Sequence, residues 1–144
     1  MYTHIAHDCI IQNNCVIANA VQVAGHAEIG SHVVVGGVSG IHQFARIGEY
    51  AMIAAGSMVA LDVTPYTTAF GNRAGPTGLN LLGLKRAGFT SEQIRQIKTM
   101  YKIVFNENNS LADALSKIDE NIEDSKVRQT FTGFIRASKR GLGR

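Results

Sequence analysis

Five histidines fall within the first 42 residues: His4, His7, His26, His32 and His42. Asp8 directly follows His7, and Gln43 directly follows His42. Imidazole titrates near neutrality, so a neutral histidine can take a proton from a substrate hydroxyl at physiological pH. A carboxylate such as Asp8 can hold the ring's other N–H and stabilise the imidazolium that forms. The set therefore suits general base catalysis. Three histidines backed by an acid can also hold zinc, but these lack short, local ligand spacing, so neither a metal nor a cofactor is expected. A covalent nucleophile is disfavoured: there is no G-x-S-x-G elbow, and Cys9 and Cys15 sit at inward positions of the repeat described next. Gly36-Gly37 and Gly40 also lie inside that repeat, and no Walker or dinucleotide fingerprint is present.

What positions these residues is a six-residue repeat. Counting in sixes from Ile5 gives Ile11, Ile17, Val23, Ile29, Val35, Ile41, Ile47, Ile53 and Val59, all β-branched aliphatics. Four places after each comes a small residue or Val, and the place directly after each is mostly Ala or Gly. A period of six matches neither a helix of about 3.6 residues per turn nor strand alternation of about two. It matches a chain that turns a corner every six residues, each face being a very short strand with its β-branched residue inward. Three faces make a coil of about 18 residues, and coils stack at about 4.8 Å. The fold class predicted is a parallel β-helix of hexapeptide repeats followed by a small helical bundle. Stacking places His7, Gly25, Gln43 and Leu61 in one column and Asp8, His26, Phe44 and Asp62 in the next. His42 joins the column of Ala6, Ala24 and Ala60. His7, Asp8, His26, His42 and Gln43 thus crowd one face or its corner, while His32 falls on another.

The chain has 144 residues and a mass of 15.5 kDa, with 45% hydrophobic and 17% charged residues. This excludes a disordered or collagen-like chain. The longest nearly apolar run, 50–61, is shorter than the ~20 residues that span a bilayer. No signal-peptide pattern opens the chain, and two cysteines make no disulfide scaffold, so a cytoplasmic location is expected. Residues 1–64 hold one base, Arg46, and four acids, whereas residues 65–144 hold thirteen bases and seven acids. The boundaries expected are a coil over 1–64, a Gly- and Pro-rich loop or linker over 65–80, and a helical domain over 81–144. Apolar stripes predict three helices. The first carries Ile94, Ile97, Tyr101, Val104 and Phe105 behind a Thr90/Gln93 capping box. The second carries Leu111, Leu115, Ile118 and Ile122 behind Ser110, and the third Val127, Phe131, Phe134 and Ile135. On the third, Arg128, Arg136, Lys139 and Arg140 fall on one side.

Several segments then become familiar: His4-Ile5-Ala6-His7-Asp8-Cys9, Ala24-Gly25-His26, Ile41-His42-Gln43-Phe44, Gly71-Asn72-Arg73 and Gly83-Leu84-Lys85-Arg86-Ala87-Gly88-Phe89. In this order they resemble the acyl-[acyl-carrier-protein]–UDP-N-acetylglucosamine O-acyltransferases, which carry out the first step of lipid A biosynthesis. The resemblance covers the whole chain. It implies a left-handed coil, an exception to right-handed crossovers, and a homotrimer with active sites between subunits. Residue by residue, His7 matches the general base, Asp8 the carboxylate that orients it, and Gly25 the backbone N–H that faces the oxyanion. His4, His26, His42 and Gln43 match positions that contact the sugar nucleotide or acyl chain, and Asn80 is taken with them as substrate-binding. Arg86 matches a phosphate-binding arginine from the neighbouring subunit. Ala55 matches the position that limits acyl length, and Arg73 stands near the acyl tail where other members can carry His.

The mechanism implied is a single displacement. His7 takes the proton of the GlcNAc 3-hydroxyl, that oxygen attacks the thioester of a 3-hydroxyacyl chain on acyl carrier protein, and the carrier thiol leaves. The basic tail would steer an acidic carrier protein; nucleic acid binding is not expected, for want of interleaved aromatics or a known motif. The family's coil begins more than a hundred residues before the stretch that matches Met1. The chain is therefore expected to be the C-terminal portion, with its first coil edge open to pairing. Alternatives are a UDP-3-acylglucosamine N-acyltransferase, an acetyl-CoA-dependent sugar acetyltransferase, or an inactive trimeric scaffold.

Overall fold

The β-branched hexads build three flat faces. One holds β1 (His4–Ile5), β4 (Gln22–Val23), β7 (Gly40–Ile41) and β10 (Met58–Val59). The second holds β2 (Ile10–Ile11), β5 (Glu28–Ile29) and β8 (Arg46–Ile47); the third holds β3 (Val16–Ile17), β6 (Val34–Val35) and β9 (Met52–Ile53). All these pairings are parallel, and the partner of each residue stands one coil further on: His4 with Gln22, Ile29 with Ile47, Val35 with Ile53. The chain is thus a left-handed parallel β-helix with helices toward its C-terminus, in a computed structural model that describes all 144 residues.

The second residue of each strand points inward and forms the core with the residue four places on. Val23, Ile29, Val35, Ile41, Ile47, Ile53 and Val59 are 0–2% exposed, and Val21, Ala27, Val33, Ala45 and Ala51 are fully buried. Cys9, Ile11, Cys15 and Ile17 pack partly buried against this cluster. Buried apolar area stabilises by about 25 cal/mol per Å², so this column carries the coil. The small residue after each inward aliphatic has a steric cause: a Cβ on Gly36 would stand 2.5 Å from the backbone N of Ala55, on the next coil.

The corners are made by residues in the left-handed backbone region. Tyr2, Asp8, Asn14, Ala20, His26, His32, Val38, Phe44, Tyr50 and Gly56 all have φ between 58° and 73°. Such a backbone costs an L-residue roughly 1–2 kcal/mol. An inter-coil hydrogen bond at each corner offsets it. His26 N–H donates to His7 O at 3.1 Å, His32 N–H to Asn13 O at 2.9 Å, and Tyr50 N–H to Ser31 O at 3.0 Å.

The 65–80 stretch departs from the loop expected of it. It holds β11 (Thr67–Phe70) and β12 (Gly75–Leu79), paired antiparallel, with β11 also parallel to β9. Two-residue strands give way here to a four-residue and a five-residue one, and the partners draw closer in sequence: Val63 bridges Ile47 and Thr68 pairs Met52. Gly and Pro signals mark the turn of this hairpin but hide its pairing, because β11 finds its partner on the coil beneath. The shortened last coil also takes Asp62 out of the column predicted for it. Asp62 is 1% exposed, and accepts from Arg46 N–H at 2.9 Å and from Ser138 Oγ–H at 2.6 Å.

Contacts divide the chain into residues 1–80 with 138–144, and residues 81–137. Residues 138–144, read as part of the helical domain, return to the coil, where Leu142 bridges Asp62 and Arg140 Nε donates to Ala60 O at 2.6 Å. In the helical unit, α1 (Leu81–Arg86) is too short to show a stripe in sequence. α2 (Ser91–Tyr101) starts at the Thr90/Gln93 capping box and runs into a π-helical turn, Lys102–Asn106. In its first turn the Arg95 guanidinium, bonded to Glu92, holds that carboxyl below its ordinary range. α3 (Leu111–Asn121) is capped by Ser110, and α4 (Lys126–Ala137) follows. Ile97, Met100, Ile118 and Phe131 are fully buried. The basic face expected on the last helix is not free. Arg128 and Arg136 both bond Asp119, at 3.2 and 2.7 Å, and Lys139 and Arg140 lie beyond the helix end.

Substituting Gly36→Ala drives a methyl into the backbone of the next coil and is expected to lower unfolding free energy by ~1–3 kcal/mol. Urea midpoints of the two proteins measure this, and an unchanged midpoint would contradict the coil packing.

Candidate active site

The corner after β1 presents His7 and Asp8, and the corner one coil on presents Gly25 and His26. The left-handed backbone at Asp8 and His26, φ 59° in both, turns these side chains outward at the same edge of the prism. His7 Nδ1 lies 3.1 Å from Asp8 Oδ2, and His26 Nε2 lies 3.7 Å from the same oxygen. An ionised carboxylate only accepts. The bond therefore assigns the proton of neutral His7 to Nδ1 and leaves the lone pair on Nε2. That end of the ring rests on Gly25: a Cβ there would stand 2.9 Å from His7 Cε1 and 3.0 Å from Nε2. A methyl at this position would push the His7 ring aside, so glycine keeps the ring where it is.

Ring contacts fix the rest of the cluster. His26 meets His7 edge-on, with centroids 5.2 Å apart, and stacks on Phe44 at 4.7 Å with planes 4° apart. His26 is thus held between a ring from the coil before it and one from the coil after it. His42 Nδ1–H donates to Gln43 O at 3.0 Å, which leaves its Nε2 free of the backbone. The side chains of His7, Asp8 and His26 are 74%, 67% and 43% exposed.

Beside this corner a groove of about 600 Å³ runs over the β1–β4–β7–β10 face. His4, Gly25, His42 and Arg73 all line it, joined by Met58 and Asn72. Met58 lies across Gly40, where a Cβ would stand 3.0 Å from its Sδ. The walls are mostly strand backbone, the methyls of Ala6, Ala24 and Ala60, and the Met58 side chain, so the groove suits an apolar chain flanked by a few polar groups.

Of the residues singled out by sequence, the structure brings His7, Asp8, Gly25 and His26 together. His4, His42 and Arg73 lie along the groove, and Gln43 is exposed beside His42. Ala55 is exposed at a different corner, between β9 and β10, and does not line the groove. The Asn80 side chain is engaged by the coil, its Nδ2 donating to Tyr50 O at 2.9 Å. Arg86 is exposed in the last turn of α1, within the helical unit. His32 stacks on Tyr50 at 4.5 Å, away from the cluster. Phe44, Met58 and Asn72 were not picked as site residues. Phe44 stood in the column of Asp8 and His26, so its stacking was within reach of the sequence; the lie of Met58 over Gly40 was not.

The family model described as UDP-N-acetylglucosamine O-acyltransferase, domain 2, matches residues 62–143. An acyl-[acyl-carrier-protein]–UDP-N-acetylglucosamine O-acyltransferase of Sulfurihydrogenibium is 57% identical over 141 residues, which is 98% of this chain and 52% of that protein. Its counterpart in Fusobacterium nucleatum is 54% identical over 143 residues, 99% of this chain and 56% of that one. The solved structure of LpxA from Acinetobacter baumannii superposes with a TM-score of 0.94 at 40% identity, covering 99% of this chain and 55% of that one. The chain spans about half the length of these relatives, and over that span it belongs to the UDP-N-acetylglucosamine O-acyltransferase family.

Proposed function

We propose that this chain carries the coil-borne part of an acyltransferase site that moves a 3-hydroxyacyl group from acyl carrier protein to the 3-hydroxyl of UDP-N-acetylglucosamine, the first step of lipid A biosynthesis. The observation that carries the reading is the His7 Nδ1–Asp8 Oδ2 contact of 3.1 Å. It turns the basic Nε2 toward the backbone at Gly25, so a base and a backbone amide share one small space. The names of the relatives supply the substrate classes.

In this reading His7 Nε2 takes the proton from the sugar hydroxyl as its oxygen attacks the thioester carbonyl. The carbonyl π-electrons move onto oxygen, and the Gly25 N–H stabilises that charge. The tetrahedral centre collapses, the C–S bond breaks, and the imidazolium returns its proton to the departing thiolate. Asp8 stabilises the imidazolium between these steps. The apolar groove takes the acyl chain, with Arg73 and Asn72 toward one end. Ala55, outside the groove of one chain, acts on acyl length only where a neighbouring subunit brings its corner to the chain. The same assembly, a cytoplasmic homotrimer, supplies Arg86 to the diphosphate of the sugar nucleotide, while His4, His26, His42, Gln43 and Asn80 contact substrate. His42, its Nδ1 bonded to Gln43 O, offers Nε2 to a sugar hydroxyl, and His26, held by ring contacts with its Nε2 3.7 Å from Asp8, offers a ring nitrogen as well.

His7→Ala is expected to cut acyl transfer by ~10²–10⁴-fold while the circular dichroism spectrum stays that of the parent. Near-normal turnover would overturn the base assignment. Gly25→Ala is expected to act through His7, whose ring it displaces, and to lower kcat more than it raises KM. A panel of acceptors and donors separates the reactions: UDP-N-acetylglucosamine against UDP-3-acylglucosamine, and a carrier-protein thioester against acetyl-CoA. The panel is run on this chain and on one extended at its N-terminus, and preference for acetyl-CoA or the amine acceptor would refute the proposal.

A further inference from the structure

We infer that His7, Asp8 and His26 form a zinc site whose occupancy switches the base off. One potential ligand atom from each of His7, Asp8 and His26 lies within 4.8 Å of the other two, and Asp8 Oδ2 faces His7 Nδ1 on one side and His26 Nε2 on the other. Tetrahedral zinc, with bonds of about 2.0–2.2 Å, sets its ligand atoms roughly 3.3–3.6 Å apart. Two of the three separations here, 3.1 and 3.7 Å, bracket that edge. The third closes by small side-chain rotations, which the exposure of all three residues permits. The ligand set, two imidazoles and one carboxylate, is that of open zinc sites in which a fourth position is left to water. The histidines are already oriented: His26 is stacked on Phe44 and meets His7 edge-on, so little side-chain entropy remains to be lost on binding.

The consequence lies in the tautomer. The metal binds His7 through Nδ1, the nitrogen that otherwise donates to Asp8. A neutral ring coordinated there carries its remaining proton on Nε2. The proton leaves Nδ1 and one is taken up at Nε2 through water, with no net change on the ring. The nitrogen facing Gly25 then becomes a donor and has no lone pair for a substrate proton. Zinc here is an inhibitor rather than a resident cofactor. The binding half of this inference stands on geometry alone; the inhibitory half rests on the proposed role of His7.

Zinc titrated into the protein against a chromogenic chelator reads binding without reference to activity. About one ion per chain is expected, with His7→Ala and His26→Ala each weakening binding at least ~10-fold and His32→Ala, at another corner, leaving it unchanged. No binding, or binding that survives both substitutions, overturns the site. Acyl transfer measured in parallel is expected to fall at least tenfold at saturating zinc and to return on adding EDTA, and full activity of the zinc-loaded protein overturns the switch. Retained zinc binding in the parent with full turnover in His7→Ala would instead sink the base assignment and leave the metal site standing.

Discussion

The structure depends on backbone hydrogen bonds between residues one coil apart. Each two-residue strand is too short to hold itself, and it persists because its N–H and C=O groups pair with the coils on either side. Gln22 N–H donates to Ser39 O at 2.9 Å, and Gly40 N–H to Ser57 O at 2.9 Å. A register error at one face would carry the next inward aliphatic out of the core. The inward Ile and Val column therefore locks the register, and the register in turn sets which outward residues meet. His7 and His26 are neighbours because Ile5 and Val23 are paired.

The corners show how that constraint reaches the chemistry. A chain that turns every six residues needs a residue with positive φ at each corner, and glycine would be the least costly. Yet Asp8, His26 and Phe44 occupy three of these positions. Glycine there would relieve strain and remove the side chains that form the cluster. Conformational cost is accepted where the side chain has a contact to make, and His26 stacked on Phe44 and His32 stacked on Tyr50 both fit this pattern. Not every corner does: Val38 is 71% exposed at φ 60°, with a β-branched side chain that disfavours the region.

The coil, its inward column and the gathering of His7, Asp8 and His26 were all legible in the sequence, because a strict period converts spacing into position. The three long helices were legible from their stripes and from the caps of the first two, Thr90 with Gln93 and Ser110. What failed was non-periodic. The last coil shortens its spacing, so column arithmetic misplaced Asp62, and the β11–β12 hairpin read as a loop because Gly71, Gly75, Pro76 and Gly78 mask its ladder. The left-handed corners left a mixed signal: Asp8, Asn14, His26, His32 and Gly56 are residue types that commonly mark such a backbone, whereas Tyr2, Ala20, Val38, Phe44 and Tyr50 are not. Charge counting misread the last helix for another reason: Arg128 and Arg136 are paired across helices with Asp119, and sequence does not display that pairing.

Exposure of the cluster bears on how the site can work. Asp8 is 67% exposed and His7 74% exposed on this chain, a setting in which water screens charge and weakens hydrogen bonds to an anion. Stabilisation of an oxyanion by one amide is effective where water is excluded. Under the proposed mechanism, one chain alone therefore supplies the reacting groups without the environment they need. In the proposed reading, substrate in the groove would cover part of this wall. The outward apolar residues Ile10, Val16 and Met58, 50%, 58% and 47% exposed on three different faces, give a second chain something to bury. Under the proposed function, a base that acts only when covered accounts for so open an arrangement of histidines on a rigid scaffold: the coil fixes the geometry, and closure by substrate and neighbouring chains would provide the low dielectric.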